Sequence, residues 1–320
     1  MSEVLLEIKE VSKHFGGVKA LDKVGLTINK GEIHCLVGEN GCGKSTLIKI
    51  ISGFYKPDGG EICFEGKIYS SLEINQSIQM GIQVIYQDMS IFPNLTVAEN
   101  IAMNFELYNK KKLVDWKSVK KIAKKSLDHI GIDIPLHATV GKLSVADKQL
   151  IAIARSILYH SKLIIMDEPT SALTRREVDK LFKVIRQLQS EGISILFVSH
   201  KLDEVFEIAD QFTVFRNGKL ITSKPAKGVT DEQFVYYMTG RKIKEEYFTA
   251  ENADMEKSLF RVEGLCLKNG FEQISFDIHP GEILGITGLL GSGRTELAKT
   301  LFGMYMADAG KIYIEGKEIS

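Results

Sequence analysis

The stretch Gly38-Glu39-Asn40-Gly41-Cys42-Gly43-Lys44-Ser45, followed by Thr46, constrains this chain more than any other. Its pattern is G-x-x-x-x-G-K-S. An apolar run, Ile33 to Val37, precedes it and reads as a buried strand; Thr46-Leu47-Ile48-Lys49-Ile50-Ile51 follows and reads as the opening of a helix. Strand, glycine-rich turn and helix in that order make a phosphate-binding loop. The glycines let backbone N–H groups crowd around phosphate oxygens, and the helix N-terminus adds positive potential. Lys44 is placed to reach the β- and γ-phosphates of a nucleotide, and Ser45 to ligate Mg²⁺.

Three further positions carry chemistry that suits such a loop. Leu163-Ile164-Ile165-Met166-Asp167-Glu168 is an apolar strand ending in two carboxylates. Asp167 at its tip is placed to hold Mg²⁺ through water, and Glu168 to polarise the attacking water as general base. Gln87 follows the strand-like Gln83-Val84-Ile85-Tyr86 and can ligate Mg²⁺ and feel the γ-phosphate. His200 follows Ile195-Leu196-Phe197-Val198-Ser199 at another strand end and can sense whether that phosphate is present.

Charge and composition narrow the partners. Lysine plus arginine number 41 and aspartate plus glutamate 41, so the formal charge is zero, which argues against nucleic acid as a partner. Cys35, Cys42, Cys63 and Cys266 show no C-x-x-C spacing and read as free thiols of a reducing compartment. Met1-Ser2-Glu3-Val4 has no basic segment leading into an apolar one, so no secretory signal is read. No apolar run approaches the roughly 18 residues that a membrane span needs. The expectation is a soluble cytoplasmic protein that reaches a membrane only through something embedded there.

The sequence also repeats itself. Gly31-Glu32-Ile33 recurs as Gly281-Glu282-Ile283, a shift of 250 residues. At the same shift Gly38 meets Gly288, Gly43 meets Gly293, Ser45 meets Thr295, Gly53 meets Gly303, and Glu65-Gly66-Lys67 meets Glu315-Gly316-Lys317. One register held that far marks an internal duplication. The expected organisation is a domain over 1–240, a polar linker over 241–257, and the opening of a second domain over 258–320. A fragment of about 60 residues buries too little surface to be stable alone, so the reading expects a shortened chain.

Within the first domain, Leu5 to Ser12 and Gly25 to Asn29 read as short alternating strands, and Glu61 to Tyr69 as another strand region. Helical patterns dominate Thr96 to His160, with a lysine-rich solvated face over Lys117 to Lys125. Leu163 to Met166 and Ile193 to Ser199 suit a parallel sheet. Arg175 to Glu191 carries Val178, Leu181, Phe182, Ile185 and Leu188 at helical spacing, an amphipathic helix.

Taken in order, these motifs resemble an ATP-binding cassette ATPase. Gly38–Ser45 matches its Walker A motif and Gln87 its Q-loop. Leu143-Ser144-Val145-Ala146-Asp147 matches its signature, Leu163–Glu168 its Walker B, Ser171-Ala172-Leu173-Thr174 its D-loop, and His200 its switch histidine. The resemblance covers residues 4 to 240. It implies an α/β P-loop NTPase core with a parallel sheet, an antiparallel β subdomain and a helical subdomain. The segments Phe15-Gly16-Gly17-Val18-Lys19-Ala20-Leu21, Gly31-Glu32-Ile33-His34, Asn94-Leu95-Thr96-Val97-Ala98-Glu99-Asn100-Ile101 and Met238-Thr239-Gly240-Arg241 are similar to the ATPase subunits of bacterial pentose and galactoside importers. Those subunits carry two cassettes in tandem, as the repeat does. The resemblance implies ATP and Mg²⁺ as ligands, with Phe15 stacking on adenine and Val18 against the nucleoside.

The resemblance further implies facing cassettes that sandwich ATP between the phosphate loop of one and the signature of the other. The implied partners are a second cassette or a second chain, transmembrane permease subunits, and indirectly a periplasmic or extracellular solute-binding protein. The implied place is the inner face of the cytoplasmic membrane, and the implied work is ATP-driven import of a monosaccharide. Other readings are a nucleoside or signalling-molecule importer, a soluble cassette protein acting on nucleic acid or ribosomes, and a non-catalytic binding module.

The chain departs from the family pattern at three places. Val145 and Ala146 replace the two signature glycines and Asp147 the glutamine, so backbone approach to a phosphate is harder there. Thr174 stands where many cassettes have the D-loop aspartate. In the second copy Arg294 occupies the Walker lysine position, which predicts weaker or non-hydrolytic nucleotide binding.

Overall fold

The computed structural model describes residues 3–108, 114–241, 257–288 and 291–319. The linker expected at 241–257 lies, save for its two ends, outside the described residues. The chain divides into two compact units, Met1–Ile243 and Lys244–Ser320.

Continuous apolar runs form the centre of the first unit. Strands β3 (Ile33–Val37), β7 (Leu163–Asp167) and β8 (Ser194–Val198) are buried along almost their whole lengths. That is the pattern of parallel strands covered on both faces. With β6 (Ile82–Ile85), β9 (Gln211–Arg216) and β10 (Lys219–Pro225) they make a six-stranded sheet, in the order β10-β9-β3-β8-β7-β6. Every neighbouring pair is parallel except the β9–β10 hairpin.

The register decides where the chemistry falls. Leu36 pairs with Val198, and Asp167 also pairs with Val198. The carboxyl ends of β3, β7 and β8 therefore share one edge, where open α/β sheets bind their ligands.

A second, antiparallel sheet of the same unit runs β2-β1-β4-β5, from β1 (Val4–Phe15), β2 (Val18–Asn29), β4 (Gly59–Phe64) and β5 (Lys67–Tyr69). Strands β1 and β2 are longer than the alternation suggests. Register shifts between Ile8 and Val11 and again around Lys13 break the two-residue period, so the sequence pattern stops short of the strand.

Helix α1 (Lys44–Ile51) follows the glycine loop, and α2 (Ile74–Gln79) precedes β6. Helices α3 (Val97–Tyr108), α4 (Trp116–His129) and α5 (Val145–Ser156) form the helical part, with Val97, Ile101, Ala123, Leu127 and Ile151 in one buried cluster. On α4 the residues Val119, Ala123, Ser126 and Leu127 face inward while Lys117, Lys120, Lys121, Lys124 and Lys125 stay exposed, a solvated lysine face. Helix α6 (Arg175–Ser190) buries Val178, Leu181, Phe182, Val184, Ile185 and Leu188. Thr174 and Glu177 close its first turn as a capping box. Helices α7 (Leu202–Ile208) and α8 (Asp231–Thr239) complete the unit.

The second unit repeats the antiparallel layout. Strands β11 (Phe260–Leu267), β12 (Phe271–Ile278), β13 (Ala309–Ile314) and β14 (Lys317–Glu318) run in the order β12-β11-β13-β14, and α9 (Arg294–Leu301) matches α1. Left-handed backbone recurs at the same spacing: Lys23 and Gln273 both at φ 49°, Glu65 at 49° and Glu315 at 50°. One partner of the repeat does not follow. Residues 283–287 correspond to β3 yet take no strand, and Ile283 is 77% exposed. In the first unit β3 is held between β8 and β9. Among the described residues of the second unit no strand flanks this segment, and an apolar strand without partners leaves its N–H and C=O groups to water.

Candidate functional site

The glycine loop begins where β3 ends. Gly43 is the N-cap of α1 at φ 106°, and no side chain caps the helix. The first N–H groups of α1 are therefore left for a ligand. A Cβ at Gly43 would lie 2.5 Å from the Ala20 carbonyl oxygen, and one at Gly38 2.3 Å from that of Phe215. Glycine is required at both positions by space as well as by dihedral angle.

Lys44 is only 6% exposed, and its Nζ donates to the carbonyl oxygens of Gly38 (2.7 Å) and Glu39 (3.0 Å). The ammonium thus sits inside the loop. Gly38, Cys42 and Gly43 are buried, Thr46 is half-buried, and Glu39, Asn40, Gly41 and Ser45 are exposed. Burial pushes the Cys42 thiol up, against the pull of the Lys44 charge.

Ser45, Gln87 and Asp167 line one cavity of about 590 Å³, together with Lys49 and Tyr86. Their hydroxyl, amide carbonyl and carboxylate oxygens are hard donors of the kind magnesium takes. Burial raises the Asp167 carboxyl and the adjacent Glu168 charge adds to it, while Lys44 and the Ser45 hydroxyl partly offset both. A divalent cation beside a carboxyl in that position would favour its ionised form and offset the shift. Among the described residues, no group of three or more His, Cys, Asp or Glu side chains gathers as a separate metal site.

Glu168 follows at the β7 end in left-handed backbone, φ 49°, with its N–H donated to the Val198 carbonyl (3.1 Å). Such a dihedral is uncommon outside glycine and costs about 1–3 kcal/mol where neighbours enforce it. The His200 Nδ1 stands 3.3 Å from Glu168 Oε1. Phe15 is 42% exposed and Val18 67% exposed, so neither packs in the core. The Phe15 ring meets Tyr55 edge-on at 5.1 Å, and the Lys13 ammonium lies 5.5 Å from its centroid.

The signature segment stands apart from this group. Ser144 is the N-cap of α5; its Oγ accepts from the Asp147 N–H (3.1 Å) and donates to Asp147 Oδ2 (2.9 Å). Val145 is 39% exposed and Leu143 is half-buried. Ser144, Ala146 and Asp147 border a cavity of about 620 Å³ against α6, and Lys44, Ser45 and Asp167 do not line it. In the second unit Arg294 opens α9 behind Gly293, at φ 83°, as Lys44 opens α1.

Three residues escaped the sequence reading. Arg155, in the last turn of α5, donates to the carbonyl oxygens of Ser90 (2.8 Å) and Met89 (3.0 Å), just after Gln87. Met89 and Ser90 both have positive φ, 58° and 45°. Glu204 is 4% exposed and Thr170 2% exposed, and their side chains are joined at 2.7 Å. The one signal in the sequence was a charged residue on the inward face of an amphipathic helix.

The sheet, the uncapped glycine loop and the acids at its edge define a P-loop nucleotide-binding fold of the ATP-binding cassette kind. The family described as ABC transporter matches residues 21–171 and 271–320, and the chain belongs to it. It is 43% identical over 317 residues to the ribose import ATP-binding protein RbsA of Caldanaerobacter subterraneus subsp. tengcongensis, covering 99% of this chain and 64% of that protein. It is 43% identical over 315 residues to a putative ribose/galactose/methyl galactoside import ATP-binding protein of Halalkalibacterium halodurans, covering 98% of this chain and 60% of that protein. The chain thus spans about three-fifths of the length of these relatives. Among solved structures it is similar to an ATP-binding cassette of an ABC transporter in its ADP conformation, with 29% identity and a TM-score of 0.65 over 73% of this chain and 96% of the other. A nucleotide-free cassette gives 30% identity and 0.63 over 69% and 91%.

Proposed function

We propose that this chain binds and hydrolyses ATP to power the import of a monosaccharide, as the names of its relatives suggest. The observation that carries the reading is the meeting of Ser45, Gln87 and Asp167 in one cavity beside the uncapped start of α1. The α1 N–H groups and Lys44 hold the phosphates, for which the ammonium leaves its two carbonyls. Phe15 and Val18, both exposed, would meet the base and the nucleoside respectively. Magnesium, when bound through Ser45, Gln87 and, by way of water, Asp167, supplies charge neutralisation at the phosphate oxygens. Glu168 takes the proton of the attacking water, and His200 beside it contacts the γ-phosphate and reports its loss.

The separation of Ser144 from the phosphate loop supports a paired arrangement, in which the signature of a second cassette or chain completes each site. Residues 258–320 are proposed as the opening of a degenerate second cassette, with Arg294 weakening nucleotide binding there. Permease subunits would receive the motion at the inner face of the membrane, with a solute-binding protein acting through them. Among the described residues no helix is long and apolar enough to cross a membrane.

Steady-state ATP hydrolysis by the full-length protein with its permease, compared with Glu168→Gln, tests the reading. Sugar-stimulated turnover that the substitution abolishes supports it. Turnover unchanged by the substitution, or stimulated by nucleic acid in place of sugar, overturns it.

A further inference from the structure

Two separate loops meet at the sheet edge, one carrying Glu168 and the other His200. A single buried carboxylate fastens them together. Glu204 Oε2 accepts from Thr170 Oγ1 at 2.7 Å and from Ser199 Oγ at 2.7 Å. Its Oε1 pairs with the Lys201 ammonium at 3.0 Å, and that ammonium also donates to the Thr170 carbonyl at 3.0 Å. Thr170 lies two residues after Glu168 and Ser199 one residue before His200. Both are 2% exposed, as against 4% for Glu204.

A buried carboxylate is costly unless it is fully paired, and an apolar replacement often stabilises as well. What the charge adds here is direction. Two short bonds to one oxygen fix the distance between chain segments that are 29 residues apart in sequence (Thr170 to Ser199), alongside the Glu168 N–H bond to the Val198 carbonyl, the Lys201 ammonium on the Thr170 carbonyl and the His200–Glu168 contact. The left-handed backbone of Glu168 persists only when its surroundings over-determine it.

We propose that Glu204 is a positioning residue for hydrolysis: by tying Thr170 to Ser199 it holds the Glu168 carboxylate and the His200 imidazole in one register. The proposal rests on the reading of Glu168 as the water-activating base.

The test compares Glu204→Gln, Ser199→Ala and the double variant in the full-length protein with its permease, with Glu168→Gln as control. ATP binding is measured with a fluorescent ATP analogue and hydrolysis under single-turnover conditions. The expected result is a Kd within about twofold of the parent, with hydrolysis about tenfold or more slower for Glu204→Gln, the scale of a small misplacement of catalytic groups. Ser199→Ala, which removes one of the bonds to Glu204 and the one its hydroxyl accepts from the Lys201 N–H but leaves the carboxylate paired with Thr170 and Lys201, slows hydrolysis less and adds little on top of Glu204→Gln. Parent-like hydrolysis in Glu204→Gln, or losses that multiply in the double variant, would sink the proposal. An equal loss of binding and hydrolysis would reduce Glu204 to a packing residue and overturn it as well. If Glu204→Gln misfolds, Ser199→Ala alone decides, by whether it lowers hydrolysis at unchanged Kd. Hydrolysis that survives in Glu168→Gln would instead refute the underlying reading of the base.

Discussion

The His200 Nδ1 lies 3.3 Å from the Glu168 carboxylate, although the two residues end different strands of the sheet. The pairing follows from the register, since Asp167 sits opposite Val198 and each chain then needs only one or two residues to reach the shared edge. Glu168→Gln preserves the shape and removes the proton acceptor. Binding of ATP is expected to persist while hydrolysis falls about 10²–10⁴-fold, the range a general base supplies. Filter binding alongside phosphate release measures both.

Lys44 is expected to govern affinity more than the rate per bound nucleotide. Its ammonium now rests on the Gly38 and Glu39 carbonyls, so it exchanges two hydrogen bonds for contacts with phosphate. A hydrogen bond to a charged group contributes about 1.5–3 kcal/mol. Lys44→Ala should therefore weaken ATP binding by roughly 10- to 100-fold. Titration calorimetry that gave an unaltered Kd would contradict the phosphate-loop assignment.

Asp147 occupies the Ser144 hydroxyl on both sides, taking its proton and giving it an N–H. In the paired arrangement proposed above, a carboxylate there would also repel the triphosphate brought to Ser144. Asp147→Asn keeps the size of the side chain and removes the charge. Faster ATP turnover in the full-length assembly is the expected outcome, by about two- to tenfold for an interaction of roughly 0.5–1.5 kcal/mol. A slower rate would show that the capping contact matters more than the repulsion.

Glu32 gives the pH prediction. Burial alone would raise this carboxyl, but hydrogen bonds with His34 (2.7 Å) and from Asn29 hold it below the usual value of 4.5. A depressed carboxyl stabilises the fold above the unfolded-state value, and that stability is lost as pH falls through the lower, folded-state value. The His34 Nε2 is bonded on to Thr213 Oγ1 (2.7 Å), and Thr213 to Ser223 (2.9 Å), so the pair anchors β3 to β9 and β10. Glu32→Gln is expected to lower stability near neutral pH by about 1–3 kcal/mol and to flatten the acid side of the stability profile. Urea unfolding at a series of pH values reads both effects. Parallel profiles for variant and parent would mean the carboxylate is not the titrating group.

Much of the site was legible in the sequence because each part is local. A glycine loop between strand and helix, acids at the end of an apolar run, and a histidine at the end of another each announce themselves within a few residues. The repeat was equally plain, since Glu65 and Glu315 share residue type and register, and the structure adds that both take left-handed backbone. The ends of β1 and β2 were not legible, because bulges shift the alternation. Arg155 and Glu204 were hidden for another reason. Each is an ordinary charged residue in a helix, and its meaning lies in a partner 65 or 34 residues away.

The order of the elements, the phosphate loop and the chemical character of each catalytic candidate were therefore set by the sequence alone, since short-range sterics and hydrophobic pattern suffice to specify them. Tertiary structure decided which of those candidates meet. Parallel pairing of β3, β8 and β7 brings Lys44, Asp167, Glu168 and His200 to one edge and leaves Ser144 bordering a different cavity. It also decided that residues 283–287, at the position of β3 in the repeat, form no strand, because an apolar strand exists only where neighbours satisfy its backbone.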